Sequence, residues 1–230
     1  MKIVAYVPVK LRNQRIPGKN LKKFADGTPL CELIFRTLAE AEGIDEKYCF
    51  CSDASIKNYL PPAIGYLERG EELDADTTRC NEIIEAFIER TAPDIVVLTH
   101  VTSPFLRRGT LEKCVEIVKS GEYDAAFTVT PVRDFLWKSG QPLNFDGSSS
   151  LRTQDLEGIY KETNGVFVFT RETFERVKKR TGEKPYLYSV ERTEAVDINE
   201  PEDFLLAEAL YGEMKRGNIR GYGYEPDTFT

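Results

Sequence analysis

Between Pro8 and Ala25 the chain carries Lys10, Arg12, Arg15, Lys19, Lys22 and Lys23 and no acid, although its formal net charge is −7. Cations at that density, on a turn that holds Pro17-Gly18, suit a polyphosphate, which takes charge from side chains and hydrogen bonds from free backbone N–H groups. Charge clusters are more often solvated surface. Position separates the two readings here, because the loop leaves a β-branched run from Lys2 to Val9, and open α/β sheets hold ligands at the carboxyl ends of their strands. The loop is therefore read as a nucleoside triphosphate site. It contains neither G-x-x-x-x-G-K-[ST] nor G-x-G-x-x-G, so it is not a Walker A loop or a dinucleotide fingerprint.

A second group lies near the other end. Asp197 and Asn199 are two apart in an extended-looking segment, Glu194 to Ile198, so a strand there would point both side chains the same way. Carboxylate and amide oxygens suit Mg²⁺ with several waters retained. The competing reading is that they lead into the helix starting at Pro201, whose first turn Glu202 and Asp203 favour through the helix dipole. Asp197 is assigned to the metal, Asn199 fits either role, and Asp203 is left to the dipole. His100, the one histidine, closes a buried-looking strand, where it either packs as a hydrogen-bonded core residue or contacts a ligand.

These groups need elements to position them. Strands are expected at Lys2–Val9, Lys47–Ser52, Ala63–Glu68, Asp94–Val101, Asp124–Val132, Asn164–Thr170, Tyr186–Val190 and Glu194–Ile198. Apolar residues at helical spacing mark helices at Leu30–Glu42, Thr78–Arg90, Thr110–Lys119, Arg171–Arg180 and Pro201–Met214. The alternation argues for one α/β domain over all 230 residues, with a doubly wound, mostly parallel sheet and helices on both faces. The residues just after Val9, Ser52, Val101 and Asp197 would then surround one crevice. From 133 to 163 the pattern breaks at Gly140, Pro142, Gly147 and Ser148-Ser149-Ser150, yet Trp137, Leu143, Phe145 and Leu151 stay apolar, as expected of an interaction arm. Five unpaired-looking cysteines and no long apolar run point to reduced thiols in a cytosolic protein without a membrane span, and the acidic balance argues against nucleic acid.

The stretch Pro8-Val9-Lys10-Leu11-Arg12-Asn13-Gln14-Arg15-Ile16-Pro17-Gly18-Lys19-Asn20 resembles the N-terminal signature of the sugar-acid cytidylyltransferases, of which the CMP-N-acetylneuraminate synthetases are the best known. The resemblance continues in order through Ser52-Asp53, then Arg69, Leu73 and Asp76, Thr102-Ser103-Pro104, Asn164-Gly165, and Asp197-Ile198-Asn199-Glu200-Pro201-Glu202-Asp203. It implies a nucleotide-diphospho-sugar transferase (Rossmann-like) fold, a homodimer paired through the arm, and transfer of CMP from CTP to an acidic sugar with Mg²⁺. It places Pro8, Val9, Lys10, Asn13, Arg15, Lys19, Asn20, Ser52, Asp53, Arg69 and Asp76 around the nucleotide. It places His100, Thr102, Ser103, Arg107, Lys161, Glu162 and Asn164 around the sugar, with Lys19, Lys10 and Asp197 central to turnover. The departures concentrate on the sugar side. The family's signature Arg and Ser are Lys10 and Asn13, its Gln is His100, its Arg after T-S-P-L is Leu106 with Arg107 next, and the Arg two places before N-G is Glu162. A carboxylate at 162 opposes a substrate carboxylate, so an acid other than N-acetylneuraminate is expected, with Arg107 or Lys161 as the shifted cation. Two other readings are a glycosyltransferase using Asp74-Ala75-Asp76 as a D-x-D, and a non-catalytic nucleotide-binding relative.

Overall fold

A computed structural model of the chain describes residues 1–147, 152, 153, 156 and 158–219. Leu151, Ser148-Ser149-Ser150 and the aromatic tail at Tyr222, Tyr224 and Phe229 lie outside them.

The strands are β1 (Ile3–Val9), β2 (Glu46–Cys51), β3 (Gly65–Glu68), β4 (Ile95–Thr99), β5 (Ala125–Val132), β6 (Trp137–Lys138), β7 (Gln141–Pro142), β8 (Ile159–Thr170) and β9 (Pro185–Ser189). The helices are α1 (Leu30–Glu40), α2 (Cys80–Thr91), α3 (Arg108–Lys119), α4 (Arg171–Val177) and α5 (Pro201–Lys215). Seven strands form one sheet in the order β3-β2-β1-β4-β8-β5-β9. All pair in parallel except β8, which runs antiparallel to both β4 and β5.

Period-two alternation divides the core. Ile3, Ala5, Val7 and Val9 of β1 face α1, α3 and α5, packing with Leu33, Leu111 and Phe204. Val4 and Tyr6 face α2 and α4, where Tyr6 stacks on Phe87 at 3.9 Å between centroids. This is the mostly parallel, helix-covered sheet expected from the sequence. The sequence order turns back between β1 and β4, and crevices form at such a switch point.

Two expectations are corrected. Glu194–Ile198 is not a strand. From the edge strand β9 the chain must return to α5 beside the N-terminal loop, so this segment crosses the strand ends instead of running along them. Its path is marked by bonds from Val190 N to Val129 O (2.8 Å), Arg107 N to Glu194 Oε1 (3.0 Å), Ile198 N to Thr102 O (2.9 Å) and Lys19 Nζ to Ile198 O (2.7 Å). The other correction concerns β8, which begins at Ile159 rather than Asn164, so Lys161, Glu162 and Thr163 belong to the sheet. Before it, β6 and β7 make a separate hairpin. Ser139 (φ 53°) and Gly140 (φ 81°) both take positive φ, as a two-residue hairpin turn of this kind requires. Buried Asn144 fastens the hairpin, accepting from Leu136 N at 2.8 Å and donating to Asp134 O at 2.9 Å.

Candidate active site

The site grows out of an irregularity in β8. Phe127 pairs with Phe167 and Val129 with Glu162, so Thr128 alone opposes Thr163, Asn164, Gly165 and Val166. Thr128 holds this bulge shut. Its Oγ1 is 2.7 Å from Thr163 Oγ1 and accepts from Val166 N at 3.2 Å, while Thr163 Oγ1 also donates to Thr128 O at 3.1 Å. Gly165 is needed because a Cβ there would stand 2.8 Å from Thr128 Oγ1 and 3.3 Å from Leu106 Cδ1. The bulge re-aims Asn164 out of the ladder. Its amide donates to Asp197 Oδ2 at 2.7 Å and its carbonyl accepts from His100 Nδ1 at 3.0 Å.

Because a carbonyl only accepts, the proton of His100 sits on Nδ1 and leaves Nε2 an acceptor. Burial, and next the nearby Arg180 charge, bring His100 down to about 4, so the ring is neutral at pH 7.

Asp197 takes a second bond from Asn199 Nδ2 at 2.7 Å on the same Oδ2. The two side chains meet without a strand to align them. Asn199 Oδ1 turns instead to Arg15 Nη2 at 3.5 Å, which makes Asn199 a partner of Asp197 in this arrangement. Asp197 Oδ1 is buried without a hydrogen-bond partner. An orphaned carboxylate oxygen beside a basic loop fits a divalent cation. Among the described residues no three His, Cys, Asp or Glu side chains cluster for a metal. A cation held there would take its remaining positions from waters and from the oxygens of a bound ligand. Asp203 accepts from the backbone N–H of Asn199 (2.9 Å) and Glu200 (2.8 Å), bonds that hold its carboxyl below the usual value and complete a capping box with Glu200.

Lys19 is 7% exposed, in a single 3₁₀ turn (Lys19–Leu21) that follows Gly18 at φ 66°. Burial and then the Arg15 charge push its ammonium below the usual lysine value, against Asp197, Glu200 and Asp203. Asn20 Nδ2 ties the loop to Lys10 O at 2.8 Å. A cavity of about 290 Å³ is lined by Lys10, Arg12, Asn13, Gln14, Arg15, Ile16, Lys19 and Asp76. Asn13 Oδ1 is buried without a partner there.

Carboxylates bracket the cations of this cavity. Lys10 Nζ is 2.9 Å from Asp76 Oδ1, with Gln14 on the other oxygen, and Arg15 is 2.9 Å from Glu200. Arg69, 3% exposed, pairs with Asp74 and donates to Val9 O at 3.1 Å. Ser52 Oγ joins Asp74 at 2.5 Å. Asp53 instead caps the turn after β2, accepting from Ser55 N at 2.9 Å. Both carboxylates of Asp74-Ala75-Asp76 thus stand on cations, not side by side as a D-x-D metal pair would.

The loop after β4 adds Thr102, through its carbonyl to Ile198, and Ser103, buried with its N–H on His100 O at 3.1 Å. Arg107 is engaged elsewhere, at 2.8 Å from Glu191 and 3.6 Å from buried Glu194. Lys161 is exposed on β8 opposite Thr130. A larger cavity of about 360 Å³ opens beside it, lined by Thr130, Pro131, Arg133, Ser189, Val190, Glu191 and Arg192. Glu162 is 2.9 Å from Arg180 Nη2.

Cations on a loop after β1, a bulged Asn-Gly in β8 and an Asp-Ile-Asn crossing form one connected site in a fixed sequence order. A profile of the cytidylyltransferase family matches residues 4–219. The chain belongs to that family. The N-acylneuraminate cytidylyltransferase of Streptococcus agalactiae serotype V is 24% identical over 219 residues, aligning 89% of this chain with 52% of the relative. The 3-deoxy-manno-octulosonate cytidylyltransferase 2 of Hydrogenovibrio crunogenus is 25% identical over 131 residues, 56% of this chain and 52% of the relative. The chain thus spans about half the length of these two relatives. It matches the CMP-N,N'-diacetyllegionaminic acid synthase of Legionella pneumophila over 91% of its own length and 96% of the relative's, at 28% identity. Among solved structures, a CMP:2-keto-3-deoxy-manno-octonic acid synthetase complexed with CTP superposes with a TM-score of 0.67 at 12% identity, covering 93% of this chain and 100% of the other. A 4-diphosphocytidyl-2C-methyl-D-erythritol synthase gives 0.63 at 14% identity, covering 91% and 98%. At such identities the likeness is one of fold. Among the described residues no helix is long and apolar enough to cross a membrane.

Sequence reasoning named the cations of this site but did not pair them with the acids that hold them, Glu200, Asp74 and Glu194, and it missed Arg180. The acids lie 185, 5 and 87 positions from the groups they meet. Only the short Arg69–Asp74 spacing was open to inspection.

Proposed function

We propose that this chain transfers CMP from CTP to a hydroxyl of an acidic sugar, with release of pyrophosphate. The observation that carries the reading is the junction at Asp197. It joins the Asn164 bulge to the Asp197–Asp203 motif and the basic loop, in a family whose matched relatives are named for CMP transfer to sugar acids.

In this reaction the sugar oxygen bonds to the α-phosphorus, the bond from that phosphorus to the β-phosphate oxygen breaks, and the hydroxyl proton is released. Such transfer depends on positioning and on neutralising phosphate oxygens more than on covalent help. Lys19, Lys10 and Arg15 hold the triphosphate. Lys19 sits in a buried pocket where its charge is weakly screened and acts strongly on a leaving pyrophosphate. Asp197 would hold Mg²⁺ through Oδ1, and the ion when bound supplies positive charge to the phosphate oxygens. Neutral His100 presents Nε2 as an acceptor to a sugar hydroxyl. The sugar is an acid other than N-acetylneuraminate, since Glu162 stands where a cation would meet that substrate's carboxylate. The enzyme works as a homodimer in the cytoplasm, paired through the hairpin arm.

The test is pyrophosphate release, with Mg²⁺, from a matrix of CTP, ATP, GTP and UTP against N-acetylneuraminate, 3-deoxy-manno-octulosonate and N,N'-diacetyllegionaminate. CTP should be the required triphosphate. Preference for another triphosphate sinks the assignment, and highest kcat/KM with N-acetylneuraminate sinks the reading of Glu162.

A further inference from the structure

Arg180 follows α4 and reaches back onto β8. Its guanidinium lies 3.8 Å from the centroid of the Phe167 ring, which is fully buried beneath it. Phe167 in turn meets the His100 ring edge to face at 6.2 Å. Glu162, two residues before the Asn164 bulge, accepts from Nη2 at 2.9 Å, and Cys80 Sγ lies 3.6 Å from Nη1. The charge is thus fixed on an aromatic face near His100, and Glu162 ties it to the strand two residues before Asn164.

An acidic sugar brings a fixed negative charge that loses water on binding and needs a cation or several N–H donors in return. Arg107 is already engaged with Glu191 and buried Glu194. Lys161 is the strand neighbour of Glu162, and successive side chains on a strand point to opposite faces. Arg180 answers the need. A guanidinium has five donors in a planar fork suited to two carboxylate oxygens, and stacking on Phe167 fixes its plane. The side chain of Arg180 is 23% exposed and that of Glu162 43%, so the ion pair is open to solvent and weak enough to exchange. We infer that Arg180 is the carboxylate-binding residue for the sugar acid, with Glu162 holding its guanidinium in place until the substrate carboxylate takes over its donors. The inference rests on the proposed transfer of CMP to such an acid. It gives Glu162 a positioning role on Arg180, while position 162 itself still offers no cation to the carboxylate of N-acetylneuraminate.

The experiment compares, for whichever of the three acids the wild-type chain turns over fastest, that acid with its isosteric primary amide, in wild type, Arg180→Gln and Arg180→Lys. A charge-assisted bidentate contact corresponds to roughly 10- to 100-fold in kcat/KM. Wild type should prefer the acid to the amide by about that factor. Arg180→Gln should lose the preference through a higher KM for the acid while KM for CTP stays put, and Arg180→Lys should keep part of it. A wild-type enzyme indifferent to the amide overturns the inference whether or not the variants fold. So does an Arg180→Gln enzyme whose acid preference persists, or whose KM for CTP rises in step with that for the acid, as a structural role would produce. If wild type turns over CTP with none of the acids, the proposed function fails and the inference falls with it.

Discussion

Replacing Gly165 with alanine tests whether the bulge in β8 builds the site. The added methyl would stand 2.8 Å from Thr128 Oγ1 and 3.3 Å from Leu106 Cδ1. Ordinary contact needs several tenths of an ångström more at the first. Thr128 is fully buried, and the hydroxyl cannot turn away without giving up Thr163 Oγ1 at 2.7 Å and Val166 N at 3.2 Å. Overpacking a core costs about 1–3 kcal/mol, and each hydrogen bond lost adds about 1 kcal/mol. Gly165→Ala should therefore destabilise by about 3–5 kcal/mol, a Tm drop on the order of 10 °C for a chain of this size. Urea unfolding of Gly165→Ala, Thr128→Ala and the double variant measures it. Thr128→Ala removes the obstructing oxygen, so the double variant should be more stable than additivity predicts by at least about 1 kcal/mol. Activity should fall further than stability, because Asn164 loses its aim at Asp197 and His100. A cost below about 0.5 kcal/mol, or strict additivity, would refute the reasoning.

Lys19→Ala should lower kcat by about 10²-fold or more, the scale for losing one transition-state electrostatic contact, with the fold retained; a change of a few-fold returns the basic loop to solvated surface. The arm exposes Trp137 (62%), Leu143 (52%), Tyr160 (50%) and Phe135 (41%), so light scattering at micromolar concentration should give a dimer and Trp137→Asp a monomer, whereas a monomeric wild type refutes the pairing.

Regular elements were legible because their signal is local. Leu33, Ile34 and Leu38 predict α1, and the β-branched run to Val9 predicts β1, and both form within two residues of expectation. Glu194–Ile198 misled because its Val196 and Ile198 look like a strand's, yet Glu194 turns inward to Arg107 N and Ile198 is buried by a crossing, not a ladder. Periodicity reports which side chains are buried and not whether a neighbouring strand is there to pair with. The start of β8 was missed for a related reason. Lys161, Glu162 and Thr163 are polar, so the apolar run begins only after the bulge although the ladder begins before it. The site shows the same limit. Lys10, Lys19, Asn164 and Asp197 were visible as residue types, whereas Arg180 was just one of several cations in Lys178-Lys179-Arg180. Nothing local marks which of the three turns onto Phe167.

The paired cations explain how a cluster of like charges can stay ordered in an acidic protein. Like charges crowded into one loop repel, and each would otherwise wander in solvent at an entropic gain. Here Asp76, Glu200 and Asp74 fix Lys10, Arg15 and Arg69 in place. Two of the three pairs are exposed, with Asp76 at 59% and Glu200 at 53%, so each contributes little and can be exchanged for a phosphate oxygen. Arg69–Asp74 differs: its guanidinium is buried and bonded to Val9 O, so it braces the floor of the crevice instead of exchanging. Among the described residues Lys19 has no carboxylate within bonding distance, and it rests on a backbone carbonyl, Ile198 O. In the proposed reaction the exposed cations change partners when the triphosphate arrives, while Lys19 stays where its buried charge acts most strongly on the leaving group. The Glu162–Arg180 pair follows the same logic at the sugar end. A carboxylate that looks wrong for an acidic substrate is, on this view, the placeholder for it.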